Sequence, residues 1–223
     1  MTDDQRPKVL VAESDRLAIF TRCPTAPDKF SVFKWGIREN NPRVIVYTGD
    51  PDDKTPEKNY GRITGAMDPM TASVFCDVLE TVAKGDYPRE LTIPCFNSKY
   101  DETGNIIQKK ALISTIHAGR DEEGYVYIRV TAEGRPDVKF KLMISDWHGL
   151  STADGTPLPA ADISMIYATA YAKQLRTIFA DCLKNTFTTE RKPRKGEAPK
   201  PTAPAIKTSS SGDELSFGED IQF

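Results

Sequence analysis

The chain has few of the residues that build metal centres and nucleophilic sites. It holds two histidines and four cysteines in 223 residues, and no two cysteines form a C-x-x-C pair. Such long, irregular spacing predicts free thiols in a reducing compartment, not zinc sites or disulfides. No glycine-rich loop has the spacing of a phosphate-binding motif, and no carboxylate pair suited to acid–base work stands out. We therefore expect no metal, no cofactor and no catalytic residue, and we interpret the chain as a non-enzyme.

Long apolar runs are also absent. No stretch approaches the ~20 residues that a helix needs to cross a bilayer. The opening residues, MTDDQRPKVLVAES, contain early acids and no apolar segment of the signal-peptide type. These features predict a cytoplasmic protein without membrane contact. The content of 39% hydrophobic and 28% charged residues is typical of globular proteins.

The formal net charge of −2 conceals an uneven distribution along the chain. Residues 188–207 carry six Lys or Arg against two Glu, whereas residues 208–223 carry four acids and no base. Segment 188–212 is rich in Pro, Lys, Ser and Thr and has almost no large apolar residue, which predicts a disordered basic linker. Apolar residues return among the acids of segment 213–223, which predicts a tip that docks on another protein.

The body, residues 1–187, has the same predicted order of elements in each half. The strand candidates are 8–14, 16–23, 30–39 and 42–50 in the first half and 89–97, 105–119, 124–134 and 136–146 in the second. After a polar loop at 51–67, Asp68 and Pro69 predict the start of a helix that Gly85 ends. A second helix is predicted near 160–186.

This order predicts an α+β fold made of two ββββα units, about 1–86 and 87–187, with antiparallel sheets packed on helices. The alternative is an elaborated OB-fold. A weak internal echo supports two copies: FSVFK at 30–34 aligns with YVYIR at 125–129, and Pro42 aligns with Pro136.

Alternation along the strands predicts which side chains face solvent. If the apolar side faces a helix, bases and aromatics share the opposite side of the second sheet, and the echo extends this pattern to the first sheet. The predicted patch comprises Phe30, Lys34, Tyr47, Lys109, Lys110, Tyr125, Tyr127, Arg129, Lys139 and Lys141. Interleaved aromatics and bases suit single-stranded nucleic acid, because bases stack and phosphates need neutralising. Solvent-facing Tyr and Lys are also ordinary in antiparallel strands.

The last residues resemble the C-terminal tip of bacterial and phage single-stranded DNA-binding proteins. The matching residues are Glu219, Asp220, Ile221 and Phe223, with Gln222 where proline is usual. The ββββα order resembles the Whirly and PUR-alpha group, and QKKAL at 108–112 is similar to a lysine-rich strand motif of Whirly proteins.

These resemblances imply a single-stranded DNA-binding protein of a phage, acting in replication, recombination or repair in the cytoplasm of its bacterial host. They also imply that the tip binds replication or repair proteins. The acids of the tip further predict that it lies over the protein's own basic face in the absence of DNA and competes with DNA for it. A homo-oligomer, an RNA-binding or transcription-regulating protein of the same fold, and an interaction scaffold without nucleic acid all stay open.

Overall fold

The computed structural model describes residues 17–187, except 39, 86–88, 102 and 104. The strand predicted at 8–14, the linker predicted at 188–212 and the tip predicted at 213–223 lie outside the described residues.

The first half forms a four-stranded antiparallel sheet, which we call sheet A. Its strands are β1 (Ile19–Arg22), β2 (Phe30–Arg38), β3 (Asn41–Tyr47) and β4 (Arg62–Ala66), and they lie side by side in chain order. Helix α1 (Pro69–Lys84) follows β4 directly.

The second half repeats this arrangement with longer strands, in what we call sheet B. It contains β5 (Arg89–Tyr100), β6 (Ile106–Arg120), β7 (Val126–Thr131) and β8 (Val138–Lys141), again antiparallel and in chain order. Helix α2 (Ala160–Thr186) follows after a loop. The predicted α+β class, with two sheet-then-helix halves, is therefore confirmed.

The predicted ends of α1 are also confirmed. The Asp68 carboxylate accepts hydrogen bonds from the backbone N–H groups of Met70 and Thr71, at 2.9 and 3.0 Å. Pro69 occupies the first helical position, where its missing N–H has no cost. Gly85 is the first residue after the helix and donates its N–H to the Thr81 carbonyl.

One strand of sheet A was missed in the sequence. Strand β4 lies inside segment 51–67, which was predicted to be a polar loop. Its glycine looks like a breaker in the sequence, but a Cβ on Gly65 would lie 3.0 Å from the Cys95 Sγ and from an Ile116 methyl of sheet B. Glycine is required there because the two sheets approach closely, which only the folded molecule reveals.

The weak internal repeat was aligned one strand out of step between the two sheets. It aligned segment 30–34 with segment 125–129, but the former belongs to the second strand of sheet A and the latter runs into the third strand of sheet B. The repeat of architecture is real, whereas that particular alignment of residues was wrong.

The inner faces of both sheets and both helices share one apolar core. Phe33 of β2 contacts Phe140 of β8, with ring centroids 5.6 Å apart. Trp35 packs edge-on against Phe75 of α1 and Phe179 of α2. The inner side of each sheet therefore contacts the other sheet as well as helices, and the outward sides point away from the core.

A buried ion pair also joins the two halves. Asp53, which is fully buried, accepts hydrogen bonds of 2.7 and 2.9 Å from the Nε of Arg135 in the β7–β8 connection. The Thr48 hydroxyl donates a further hydrogen bond of 2.7 Å to the same carboxylate. Each oxygen of this buried carboxylate thus has a donor.

The four cysteines are buried free thiols, as the spacing predicted: Cys23, Cys76, Cys95 and Cys182. Burial raises the pKa of the Cys76 thiol to about 11. Neither helix of the described part is long and apolar enough to cross a membrane.

Candidate nucleic-acid interface

The outward side of sheet A, here called face A, combines bases with exposed aromatic side chains. The pleat directs alternate residues of each strand to this side, opposite the buried set that includes Phe33 and Val44. The bases on face A are Arg22, Lys34, Arg38, Arg43 and Arg62, and the aromatics are Phe20, Phe30 and Tyr47. No outward position on the four strands of sheet A carries an acid. Face A is therefore a positively charged surface with apolar rings set into it.

The strand register brings the aromatics of face A together at one end of the sheet. Phe20 pairs with Val32, Val32 with Tyr47, and Tyr47 with Arg62, so that one row crosses all four strands. Paired side chains in such a row lie about 4.5–5.5 Å apart at Cβ. In the next row Arg22 pairs with Phe30, and its guanidinium lies 4.2 Å from the ring centroid.

These rings are accessible to a ligand. Phe20 is 54% exposed, Phe30 51% and Tyr47 41%. Tyr60, in the turn that leads into β4, adds a fourth exposed ring beside this end of the sheet. Large apolar side chains of this exposure, gathered on one surface, mark an interaction site more often than isolated ones do.

The Nε of Arg62 is buried and has no hydrogen-bond partner among the described residues. A buried donor without an acceptor is uncommon in native proteins. An acceptor supplied by a ligand would satisfy it.

The outward side of sheet B, here called face B, also carries bases. Its Arg129 forms ion pairs with neighbouring acids. Arg129 donates to both oxygens of Glu90, at 2.8 and 3.0 Å, and to Asp137 at 2.7 Å. Tyr127 donates its hydroxyl to Glu90 at 2.8 Å, and a nitrogen of His117 lies 2.9 Å from the same carboxylate. Glu90 is the centre of this network.

The network has electrostatic consequences for its members. Burial by itself would raise the pKa of Glu90, but hydrogen bonds from Tyr127 and His117 and the charge of Arg129 outweigh it, so that this pKa is lowered. Burial, together with the hydrogen bond to Glu90, raises the pKa of Tyr127 to about 12. Glu90 therefore stays ionised, and Tyr127 stays a neutral donor.

Tyr127 is also unavailable for stacking. It is only 7% exposed, because its ring lies across Gly119 of β6. A Cβ at that glycine would come within 2.4 Å of the ring. The Lys139 ammonium lies 4.3 Å from the ring centroid.

Lys141 is engaged in a similar way. Its ammonium lies 3.1 Å from Glu123, 4.0 Å from Asp121 and 3.9 Å from the centroid of the Tyr125 ring. A depression of about 620 Å³ beside these residues is lined by acids and bases together. Two bases of face B, Arg129 and Lys141, are thus paired with acids beside them.

A third surface is the hairpin of residues 96–112, here called the arm. It contains the end of β5 and the beginning of β6. Strand β6 pairs with β7 only from Thr115 onward, so the arm extends past the edge of β7. Lys109 and Lys110 lie on it, both exposed. The Lys110 ammonium lies 5.5 Å from the centroid of the Phe96 ring.

The ten residues predicted for nucleic-acid binding therefore fall on three surfaces. Phe30, Lys34 and Tyr47 lie on face A; Tyr127, Arg129, Lys139 and Lys141 lie on face B with Tyr125 at its end; Lys109 and Lys110 lie on the arm. The structure brings the first three together with residues that the sequence analysis did not single out, namely Phe20, Arg22, Arg38, Arg43 and Arg62. The alternation in FSVFKWGIR and NPRVIVY indicates that Arg38 and Arg43 face outward, so both could have been predicted from the sequence. Arg62 could be placed on this face only once β4 was known to be a strand.

The residues predicted for partner binding, Glu219, Asp220, Ile221 and Phe223, lie outside the described residues. Within the described part of the chain, no group of His, Cys, Asp or Glu is arranged to hold a metal ion. Comparison of the chain with family models, with curated proteins and with solved structures gives no match.

Proposed function

We propose that this protein binds single-stranded DNA through face A, as a non-catalytic protein of DNA replication, recombination or repair. The observation that carries the proposal is the composition of face A, which has five bases, three exposed aromatic rings and no acid on its strands. Phosphates meet the bases, and nucleobases stack on the rings. Stacking contributes about 1–3 kcal/mol per base and tolerates any sequence.

The exposed rings favour a single strand over a duplex. In a duplex the faces of the bases are already stacked on one another, so that only edges and phosphates are accessible to a protein. A ligand that uses Phe20, Phe30 and Tyr47 must offer free base faces. The overall net charge of −2 also argues against a protein whose binding depends on phosphate contacts alone.

The contrast between the two sheets supports the choice of face A. On face B, Arg129 has two carboxylate partners and Tyr127 is buried, so a strand bound there would have to break existing contacts. Arg22 of face A contacts a ring and a backbone carbonyl. The cost of exchanging internal partners for phosphates is therefore lower at Arg22 than at Arg129.

The wider setting is part of the same proposal. The ββββα order supports a body of the Whirly and PUR-alpha kind, and the C-terminal residues support a phage-type tip that binds replication or repair proteins. Such a protein would act in the cytoplasm of a bacterial host.

The test is a titration of fluorescent oligo-dT at two salt concentrations, with oligo-U in parallel. The variant Arg22→Gln/Arg62→Gln removes two bases that flank the aromatic end of face A. The matched control, Lys139→Gln/Lys141→Gln, removes two exposed bases of face B.

We expect the face A variant to bind oligo-dT at least about tenfold more weakly at low salt and to lose ~0.7 per phosphate contact from the salt slope. The control should bind like the wild type. Equal losses of affinity in both variants would mean that the strand does not bind specifically to face A. Absence of binding by the wild type would exclude the function. Tighter binding of oligo-U than of oligo-dT would make RNA the ligand.

A further inference from the structure

The arm exposes an unusual concentration of apolar side chains. Phe96, Tyr100, Ile106, Ile107 and Leu112 are all exposed, and Ile107 reaches 68%. They form cross-strand pairs, Phe96 with Leu112 and Tyr100 with Ile106. The distal part of β6 has β5 as its only strand neighbour among the described residues. A two-stranded hairpin of this kind buries little of its own surface, so its side chains are available to a ligand.

The arm is also basic along its strands. Lys99, Lys109 and Lys110 are exposed, and none of them forms an ion pair with a described residue. The one described acid of the arm, Asp101, accepts hydrogen bonds from the backbone N–H groups of Thr103 and Asn105 within the turn. The free charge of the described arm is therefore positive.

The backbone of the arm is irregular where its lysines lie. Lys110 has a φ of 54°, in the left-handed region that residues other than glycine seldom adopt. The pairing of β5 with β6 shifts register at several points between Cys95 and Tyr100. Bulges of this kind redirect side chains. Here the Lys110 ammonium lies near the Phe96 ring, so that a cation and an aromatic surface are side by side.

The arm leaves the body beside face A. At its base the Ser114 hydroxyl donates to the Thr64 carbonyl of β4, at 3.0 Å. Strand β4 is the edge of sheet A, and the side chain of Thr64 belongs to face A. A strand that crosses face A from β1 to β4 and continues past that edge therefore reaches the arm.

We propose that the arm is a second contact for the same single strand. Phe96 and Tyr100 stack on bases, and Lys99, Lys109 and Lys110 meet phosphates. This inference rests on the proposed function of face A. The three lysines complement the charge of a nucleic-acid backbone. They also argue against a second copy of this chain as the occupant, because lysine is depleted in protein–protein interfaces.

The experiment compares a short oligo-dT of about five nucleotides, which face A alone can hold, with a long one of about twenty. The arm variant is Phe96→Ala/Tyr100→Ala. The control, Met70→Ala/Val74→Ala, removes two exposed apolar side chains of α1. Far-ultraviolet circular dichroism and light scattering establish that each variant is folded and give its mass.

We expect the arm variant to bind the long strand at least about tenfold more weakly, since two stacking contacts are lost, and to bind the short strand like the wild type. The control should match the wild type for both strands. Wild-type affinity of the arm variant for both lengths would overturn the inference and leave face A as the complete site. A multimeric wild type that becomes monomeric in the arm variant would also overturn it, because the arm would then be a subunit interface. Failure of face A itself would be recognised separately, as wild-type affinity of the Arg22→Gln/Arg62→Gln variant for the short strand, and failure of the whole function as absence of binding by the wild type.

Discussion

Asp53 joins the two halves of the body through a buried ion pair with Arg135. Replacing it by alanine would leave the Arg135 guanidinium, whose side chain is 11% exposed, without its carboxylate. Removing one partner of a buried pair is costly because the other charge stays buried. We predict that Asp53→Ala lowers the free energy of unfolding by about 3–5 kcal/mol, measured by urea denaturation.

The control for this prediction is Asp52→Ala, which removes a carboxylate from the neighbouring, exposed residue. Its expected effect lies within about 0.5 kcal/mol of the wild type. Equal losses of stability in the two variants would contradict the role of the ion pair.

The pH dependence of stability should depend on the same carboxylate. Burial favours a higher pKa for Asp53, but the hydrogen bonds from Arg135 and Thr48 outweigh it, so that this pKa is lowered. A carboxyl group with a lowered pKa stabilises the folded state above the pKa of the unfolded chain, about 3.9, and this contribution is lost as the pH falls through the folded value. The difference in stability between the wild type and Asp53→Ala should therefore be full at neutral pH and shrink below about pH 4. A difference that stays constant down to pH 2 would refute this assignment.

At the scale of elements, the proposed site on sheet A assigns stacking and charge neutralisation to different side chains. Phe20 and Tyr47 lie in one row with Arg62, and neither ring carries a charge. We predict that Phe20→Ala/Tyr47→Ala weakens oligo-dT binding by at least about tenfold, while the slope of log K against log salt stays that of the wild type.

The control for this prediction is the variant Arg22→Gln/Arg62→Gln, for which the slope of log K against log salt should fall. A reduced slope in the aromatic variant would mean that loss of the rings also displaces phosphates. An unchanged affinity would remove stacking from the proposed mechanism.

The elements of the second half were predictable because each has a local signal. Helix α2 was predicted near 160–186 and is found at Ala160–Thr186, and each predicted strand overlaps β5, β6, β7 or β8. Strand β4 was not predictable, because Gly65 is explained by its distance from sheet B and not by its neighbours in sequence.

The site was predictable only in part, for a similar reason. Alternation indicated that Arg129 faces outward, but not that Glu90, 39 positions earlier, holds it there. Nor could the sequence indicate that the Tyr127 ring packs against Gly119. Whether an exposed base such as Arg129 is already paired depends on long-range strand register, which only the folded molecule reveals.

At the scale of the whole molecule, the charge of the C-terminal residues should affect binding by the body. Residues 209–223 contain four acids and no base, so a chain that ends at Thr208 has a formal net charge of +2 instead of −2. A polyanion is repelled less by the shorter chain. We predict that this truncation tightens oligo-dT binding by about threefold or more at low salt, and that the gain shrinks as salt rises.

The control is a full-length chain in which Asp213, Glu214, Glu219 and Asp220 are replaced by their amides. It should bind as tightly as the truncated chain if charge is the cause. Weaker binding by the truncated chain would show that these residues assist DNA binding instead of opposing it.

The difference between face A and face B also has a consequence for assemblies. If the strand binds face A and the arm as proposed, the body is, in colloid terms, a particle that adheres on one side only. Such particles decorate a polymer without bridging one polymer to another, because a second strand finds no attractive surface on the side turned outward. A strand coated by many copies would then stay dispersed, with the outward side of sheet B forming the outer surface of the coat.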